Sequence, residues 1–116
     1  GGKIVNISSL AGLNGVATGS VYSTAKHGVL GLTRSAALEY GAYNVRINAV
    51  CPGFIQTAIL EGVPQKVIDY STQIRVPLKR IGTPDEVAKA ILWLLSDASS
   101  YVNGESLAID GGFKAG

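Results

Sequence analysis

The chain has 116 residues, of which 47% are hydrophobic and 16% charged, so it is one domain or part of one. Its formal charge of +2 is carried by dispersed residues such as Lys3, Arg34, Arg46, Lys66 and Lys79-Arg80, which form no stripe that would serve a nucleic acid. One cysteine, Cys51, excludes an internal disulfide framework and fits a reducing, cytoplasmic setting, and with a single histidine beside it no metal site is expected.

The chain opens on Gly1-Gly2-Lys3, without an initiator methionine or a basic-then-apolar leader, and reads as cut from something longer. Residues 3–7 form a buried strand, Ile-Val-x-Ile, closed by Ser8-Ser9. The sequon Asn6-Ile7-Ser8 lies inside that strand and is accidental. Residues 10–20 form a loop of small residues; Gly12, Gly15 and Gly19 lack the G-x-G-x-x-G spacing, which favours a flexible substrate-side loop.

Residues 21–40 carry a helical pattern, and Gly41 is its expected stop. Tyr22, Lys26, Val29, Thr33 and Ala37 share one face. Ala25, Gly28, Leu32 and Ser35-Ala36 line another, where small residues would admit a second backbone. Residues 44–50 are the second strand, broken at Cys51-Pro52-Gly53. Residues 58–76 have the weakest pattern and are expected to be mobile, with a helix from about Pro64 burying Val67, Ile68 and Ile74.

Thr83-Pro84-Asp85-Glu86 is a helix start with three agreeing signals: a threonine cap, proline at the first helical position and glutamate three residues on. That helix should run to about Leu95 and bury Val87, Ile91 and Leu94. Its apolar run, residues 90–95, is far too short to span a membrane. Asn103-Gly104 is a turn, residues 107–109 a third strand, and Asp110-Gly111-Gly112 its end. Strand, helix, strand, helix, helix, strand implies an α/β fold of three parallel strands with flanking helices. Ligands in such sheets gather at the carboxyl ends of the strands.

Chemistry-bearing residues fall on that rim. Tyr22 and Lys26 lie one helical turn apart, where an ammonium favours a phenolate that free tyrosine forms only near pH ~10. Ser9 lies thirteen residues before Tyr22, at the end of the first strand. A hydroxyl, a phenol and an ammonium make a proton-transfer site. Each alone also has an ordinary role: Ser9 a turn cap, Tyr22 a half-buried aromatic, Lys26 a solvated charge.

At these residues the chain resembles a short-chain dehydrogenase/reductase. Val5-Asn6-Ile7-Ser8-Ser9, the Tyr-x-x-x-Lys pair Tyr22 and Lys26, the segment from Arg46 through Cys51-Pro52-Gly53-Phe54-Ile55-Gln56-Thr57, the run Arg80-Ile81-Gly82-Thr83-Pro84-Asp85-Glu86-Val87-Ala88 and the closing Asp110-Gly111-Gly112 appear in order. The resemblance implies the C-terminal half of a Rossmann-type doubly wound parallel sheet, with residues 1–116 a partial dinucleotide-binding domain lacking its N-terminal, fingerprint-bearing half. It implies NAD or NADP as cofactor and a small-molecule alcohol or ketone as substrate. It assigns proton transfer to Tyr22, substrate-oxygen binding to Ser9, a second role at the nicotinamide ribose to Lys26, and cofactor contact to Tyr22, Lys26, Pro52, Gly53, Ile55 and Thr57. It also implies a homodimer or homotetramer of the complete protein. A 3-oxoacyl-carrier-protein reductase is one subclass; a non-catalytic relative of the same fold, or a fragment inert by itself, are the alternatives. No membrane or nucleic-acid partner is expected.

Overall fold

The computed structural model describes residues 1–116, the side chain of Ile59 excepted. The chain runs β1 (Gly2–Ile7), a 3-10 turn (Leu10–Gly12), α1 (Ser20–Tyr40), β2 (Val45–Pro52), α2 (Gln65–Arg75), α3 (Pro84–Leu94) and β3 (Ser106–Ile109). The strands form one parallel sheet in the order β1-β2-β3. This is the expected α/β arrangement. Ile4 pairs with Ile47 and Ile7 with Val50, while Cys51 pairs with Ala108 and Pro52 with Ile109.

β2 is the central strand, and its residues from Ile47 to Cys51 are all buried. Side chains alternate across a sheet, so β2 offers one set to each helical layer. Ala49 and Cys51 join Leu30 of α1 in an apolar cluster, with Leu13 packed against it. Leu30 is 2% exposed; burying such a side chain contributes roughly 1.5–3 kcal/mol. Beside that cluster, the Asn6 amide donates to the Thr33 hydroxyl at 3.0 Å.

Arg46 and Asn48 project to the other layer. The Arg46 guanidinium donates to the carbonyls of Leu94, Ser96 and Val102 at 2.9–3.1 Å. Leu94 and Ser96 lie at the end of α3, where helical carbonyls have no partner of their own. Asn48 donates to the Val102 carbonyl at 3.1 Å and accepts from the Glu105 N–H at 2.9 Å. Asn103 accepts from the Ile47 N–H at 2.9 Å. These bonds fix the register of the segment that leads into β3.

The start of α3 agrees with its sequence signals. The Thr83 hydroxyl accepts from the Glu86 N–H and the Glu86 carboxylate accepts from the Thr83 N–H, a reciprocal capping box with proline in the first turn. Two arginine N–H groups of Arg80 grip the same carboxylate, each at 2.8 Å. Arg80 first, and the Thr83 N–H next, hold the Glu86 carboxyl down to about 2.

Several expectations require correction. Within this chain β1 is an edge strand of the three-stranded sheet, and Ile4 and Ile7 are 47% and 48% exposed rather than buried. α1 ends at Tyr40 with Gly41 as its C-cap, as expected, but Gly41 keeps a right-handed conformation and begins a 3-10 turn; the left-handed residue is Asn44, at φ 59°, where asparagine is better tolerated than most residues. β2 ends within Cys51-Pro52-Gly53, as expected, but two residues later than Val50, at Pro52, because β3 pairs with it there. Proline tolerates that position, since the strand ends before its missing N–H disrupts a long ladder.

α2 does not bury the side its pattern suggests. Val67 and Ile74 are 52% and 65% exposed and Thr72 is buried instead, its hydroxyl satisfied by the Ile68 carbonyl. On α3 only Leu94 is fully buried, with Val87 and Ile91 partly covered. Among the described residues no helix is long and apolar enough to cross a membrane.

Candidate active site

Three ties lock the turn after β1 against the first turns of α1. The Ser8 hydroxyl donates to the Lys26 carbonyl at 2.9 Å. The Ser23 hydroxyl donates to the Ala11 carbonyl at 2.8 Å. Gly12 lies against the same helix: a Cβ there would strike the Ser8 hydroxyl and come within 2.8 Å of the Lys26 carbonyl. The residues beside Tyr22 and Lys26 in sequence thus serve as their mount. The loop of residues 10–20 is accordingly pinned at its start, where Ala11 and Gly12 are buried, and open only beyond.

Ser9 caps that turn, its hydroxyl accepting from the Ala11 N–H at 3.2 Å. The bond orients the hydroxyl without consuming its proton. Ser9 and Tyr22 line one cavity of about 670 Å³, together with Pro52 and Gly53 at the end of β2. This volume lies in the range of small-molecule sites. Lys26 sits on the same side of α1 as Tyr22. Its Nζ is 5.6 Å from the centroid of the phenol ring and donates to the Ile7 carbonyl at 3.2 Å. A cation at that separation is attracted to the ring face. Ser9 and Tyr22 therefore share one cavity, and Lys26 adjoins Tyr22 without lining that cavity.

The rest of the expected cofactor loop is divided. Pro52 and Gly53 face the cavity. Gly53 packs tightly there; a Cβ on it would meet the Asp110 side chain at 3.0 Å and Leu10 at 3.1 Å. Ile55 forms a parallel bridge with Gly82 instead. That bridge uses the Phe54 carbonyl and the Gln56 N–H, bonded to Gly82 at 2.8 and 2.9 Å. The N–H and carbonyl of Ile55 itself stay outside the pairing and point the other way, the set of groups an amide ligand requires. Thr57 is exposed, precedes the 3-10 turn Ala58–Leu60 and makes no side-chain cap bond; it does not line the cavity with the others.

Further cavity residues escaped the sequence reading. Phe54 and Phe113 meet edge to face with centroids 5.9 Å apart. Arg75, at the end of α2, places its Cζ 4.5 Å from the centroid of the Phe113 ring. All three line the cavity. The two phenylalanines had a signal: each follows a strand end, at Pro52-Gly53 and at Asp110-Gly111-Gly112. Arg75 had none. His27 is exposed, its Nδ1 2.8 Å from the Ser23 carbonyl. Cys51 is fully buried, and desolvation pushes its thiol above the usual range, which suits a packing role and not a nucleophile.

The closing turn is built for its position. Gly111 and Gly112 have φ of 63° and 92°, values that side chains rarely adopt. The Asp110 carboxylate accepts from the N–H groups of Gly112 and Lys114, both at 2.9 Å, and the Gly111 carbonyl accepts from Leu78 at 3.1 Å. The turn therefore presents Phe113 to the cavity and anchors the segment that follows Arg75.

The family model described as enoyl-(acyl carrier protein) reductase matches residues 1–114. The chain is 49% identical over 114 residues to cis-4-hydroxycyclohexanecarboxylate dehydrogenase of Sinomonas cyclohexanicum, covering 98% of this chain and 45% of that one. It is 47% identical over 111 residues to the 3-oxoacyl-[acyl-carrier-protein] reductase FabG of Thermotoga maritima, covering 96% of this chain and 45% of that one. The crystal structure of levodione reductase superposes with a TM-score of 0.90 at 44% identity, over 96% of this chain and 46% of that one. ElxO with NADP bound superposes at 0.89 and 38% identity, over 99% and 47%. The chain spans a little under half the length of these relatives. With its motifs, its parallel sheet and these likenesses in agreement, the chain belongs to the short-chain dehydrogenase/reductase family.

Proposed function

We propose that this chain carries the proton-transfer centre of an NAD(P)-dependent oxidoreductase that interconverts a secondary alcohol and a ketone. The observation that carries the reading is the placement of Ser9 and Tyr22 on one cavity at the carboxyl end of a parallel sheet, with the Lys26 ammonium beside the phenol. Tyr22 gives its proton to the carbonyl oxygen in reduction and takes it from the alcohol in oxidation. Ser9 donates its hydroxyl proton to the same oxygen and holds it in place. The positive charge of Lys26 favours the phenolate while the proton is away.

A nicotinamide, when bound, supplies or accepts the hydride. The peptide groups of Ile55 that the Gly82 bridge leaves unused suit its carboxamide, and Lys26 suits its ribose. Pro52 and Gly53 shape the wall between them, and the Thr57 hydroxyl would have to turn toward the cofactor to join the set. NAD or NADP both meet these requirements; the ElxO likeness supports NADP. The FabG relatives support an acyl-thioester ketone as one substrate subclass.

The chain is further proposed to be the catalytic portion of a larger dinucleotide-binding domain, inert by itself. Exposed Leu32 and Leu38 on α1, beside Gly28 and Gly31 with open space over them, support a homodimer or homotetramer of the complete protein. So do exposed Leu92 and Trp93 on α3.

In the full-length protein, Tyr22→Phe should lower turnover by roughly 10²–10⁴-fold and leave NAD(P)H binding intact. Wild-type-like turnover in that variant removes the tyrosine from the mechanism. The isolated 116 residues should not enhance NAD(P)H fluorescence; enhancement would show that the portion suffices for binding.

A further inference from the structure

The cavity holding Ser9 and Tyr22 has one charged residue in its wall, Arg75, and no carboxylate. Two other guanidinium groups are used within the fold, Arg46 on three backbone carbonyls and Arg80 on Glu86; Arg34 is exposed on α1 and does not line this cavity. Arg75 takes part in neither ion pair found among the described residues. It is held instead on the face of Phe113, which Phe54 supports from its edge. Stacking of this kind fixes the plane of a guanidinium while leaving its forked N–H groups for a ligand. Arg75 is exposed, so water meets its charge in the free protein; beside Leu10, Val16 and the two phenylalanines, its forked N–H groups are placed to meet an anion that enters with the ligand.

We propose that Arg75 is a specificity residue that binds a carboxylate on the substrate, remote from the alcohol or ketone held at Ser9 and Tyr22; this rests on the oxidoreductase reading above. The substrate class is a hydroxy or keto carboxylic acid with a compact apolar body. A planar carboxylate matches the guanidinium fork in two parallel hydrogen bonds, and its single charge is less costly to desolvate against these walls than the double charge of a phosphate. A volume of about 670 Å³ admits a ring of six carbons with both functional groups.

The test uses the full-length protein with its cofactor. Binding of cyclohexanecarboxylate and of cyclohexanecarboxamide, alike in shape and different in charge, is measured by calorimetry. The wild type should prefer the carboxylate by at least about tenfold, the usual worth of a charged hydrogen-bonded pair. Arg75→Gln should remove that preference and leave carboxamide and cofactor affinities unchanged; Arg75→Lys should retain part of it. With 4-oxocyclohexanecarboxylate as substrate, Arg75→Gln should raise KM and spare kcat. Equal affinity for the two probes in the wild type, or an equal loss for both in Arg75→Gln, overturns the proposal. Turnover of cyclohexanone without any carboxylate preference sinks the Arg75 role alone. Charge-dependent binding without turnover of either ketone retains it and sinks the oxidoreductase reading.

Discussion

The rim built by β1, β2 and α1 and the arm of residues 54–82 border the same cavity but are made differently. On the rim, the Ser8, Gly12 and Ser23 contacts bind the turn to the helix, and Leu30 is sealed against Ala49 and Cys51. On the arm, Val67, Tyr70, Ile74 and Leu78 are all more than half exposed. The arm is held by the Ile55–Gly82 bridge, buried Val76 and the bond from Leu78 to Gly111. Proton transfer needs groups placed to a fraction of an ångström, and rigid elements supply that. Selecting a substrate tolerates, and often uses, a wall with little packing beneath it.

The contrast can be broken most severely at Leu30. Leu30→Ala in the full-length protein should lose about 2–5 kcal/mol of unfolding free energy in urea melts, whereas Ile74→Ala should stay within about 0.5 kcal/mol. A large loss at Ile74 would mean that the arm is as firmly packed as the rim. Gly12→Ala should cost roughly 1–3 kcal/mol through overpacking and, by pushing Ser9 from its place, lower kcat with cofactor affinity kept. Unchanged kcat would show that the mount does not position the serine.

Thr83→Ala should cost about 1 kcal/mol through the lost helix cap, with no effect on substrate preference. The smallest effect concerns Glu86. Its folded carboxyl titrates at about 2, below the ordinary 4.5, so its contribution to stability is complete above about pH 4.5 and disappears as pH falls through 2. In Arg80→Gln the Glu86 titration followed by NMR should move up toward 4.5, and the decline should begin at higher pH. An unmoved midpoint would assign the depression to the Thr83 cap.

Local rules were legible where a few neighbouring residues decide the outcome. Thr83-Pro84-Asp85-Glu86 specified the start of α3 because every partner in the capping box lies within four residues. Tyr22 and Lys26 lay on one side of α1 because helical geometry alone puts them there. Ser9 reached the same cavity because a strand end and the next helix open on one rim of a parallel sheet. The exposure of Ile4 and Ile7 was not legible, since an edge strand and a central strand can share one apolar pattern. The burial of α2 was misread for a related reason: periodicity shows which residues share a side but not whether anything covers it.

The sequence by itself determined the order and type of the elements, the capping of α3, and the serine–tyrosine–lysine set with its place at the strand ends. These depend on short-range sterics and hydrogen bonds, and such information survives in linear spacing. Only the tertiary structure decided that Arg46 caps a helix some fifty residues away, that Asn44 and not Gly41 takes the left-handed conformation after α1, and that Arg75 meets Phe113 across the cavity. Each is a contact between distant segments, chosen by which surfaces the packed sheet brings face to face.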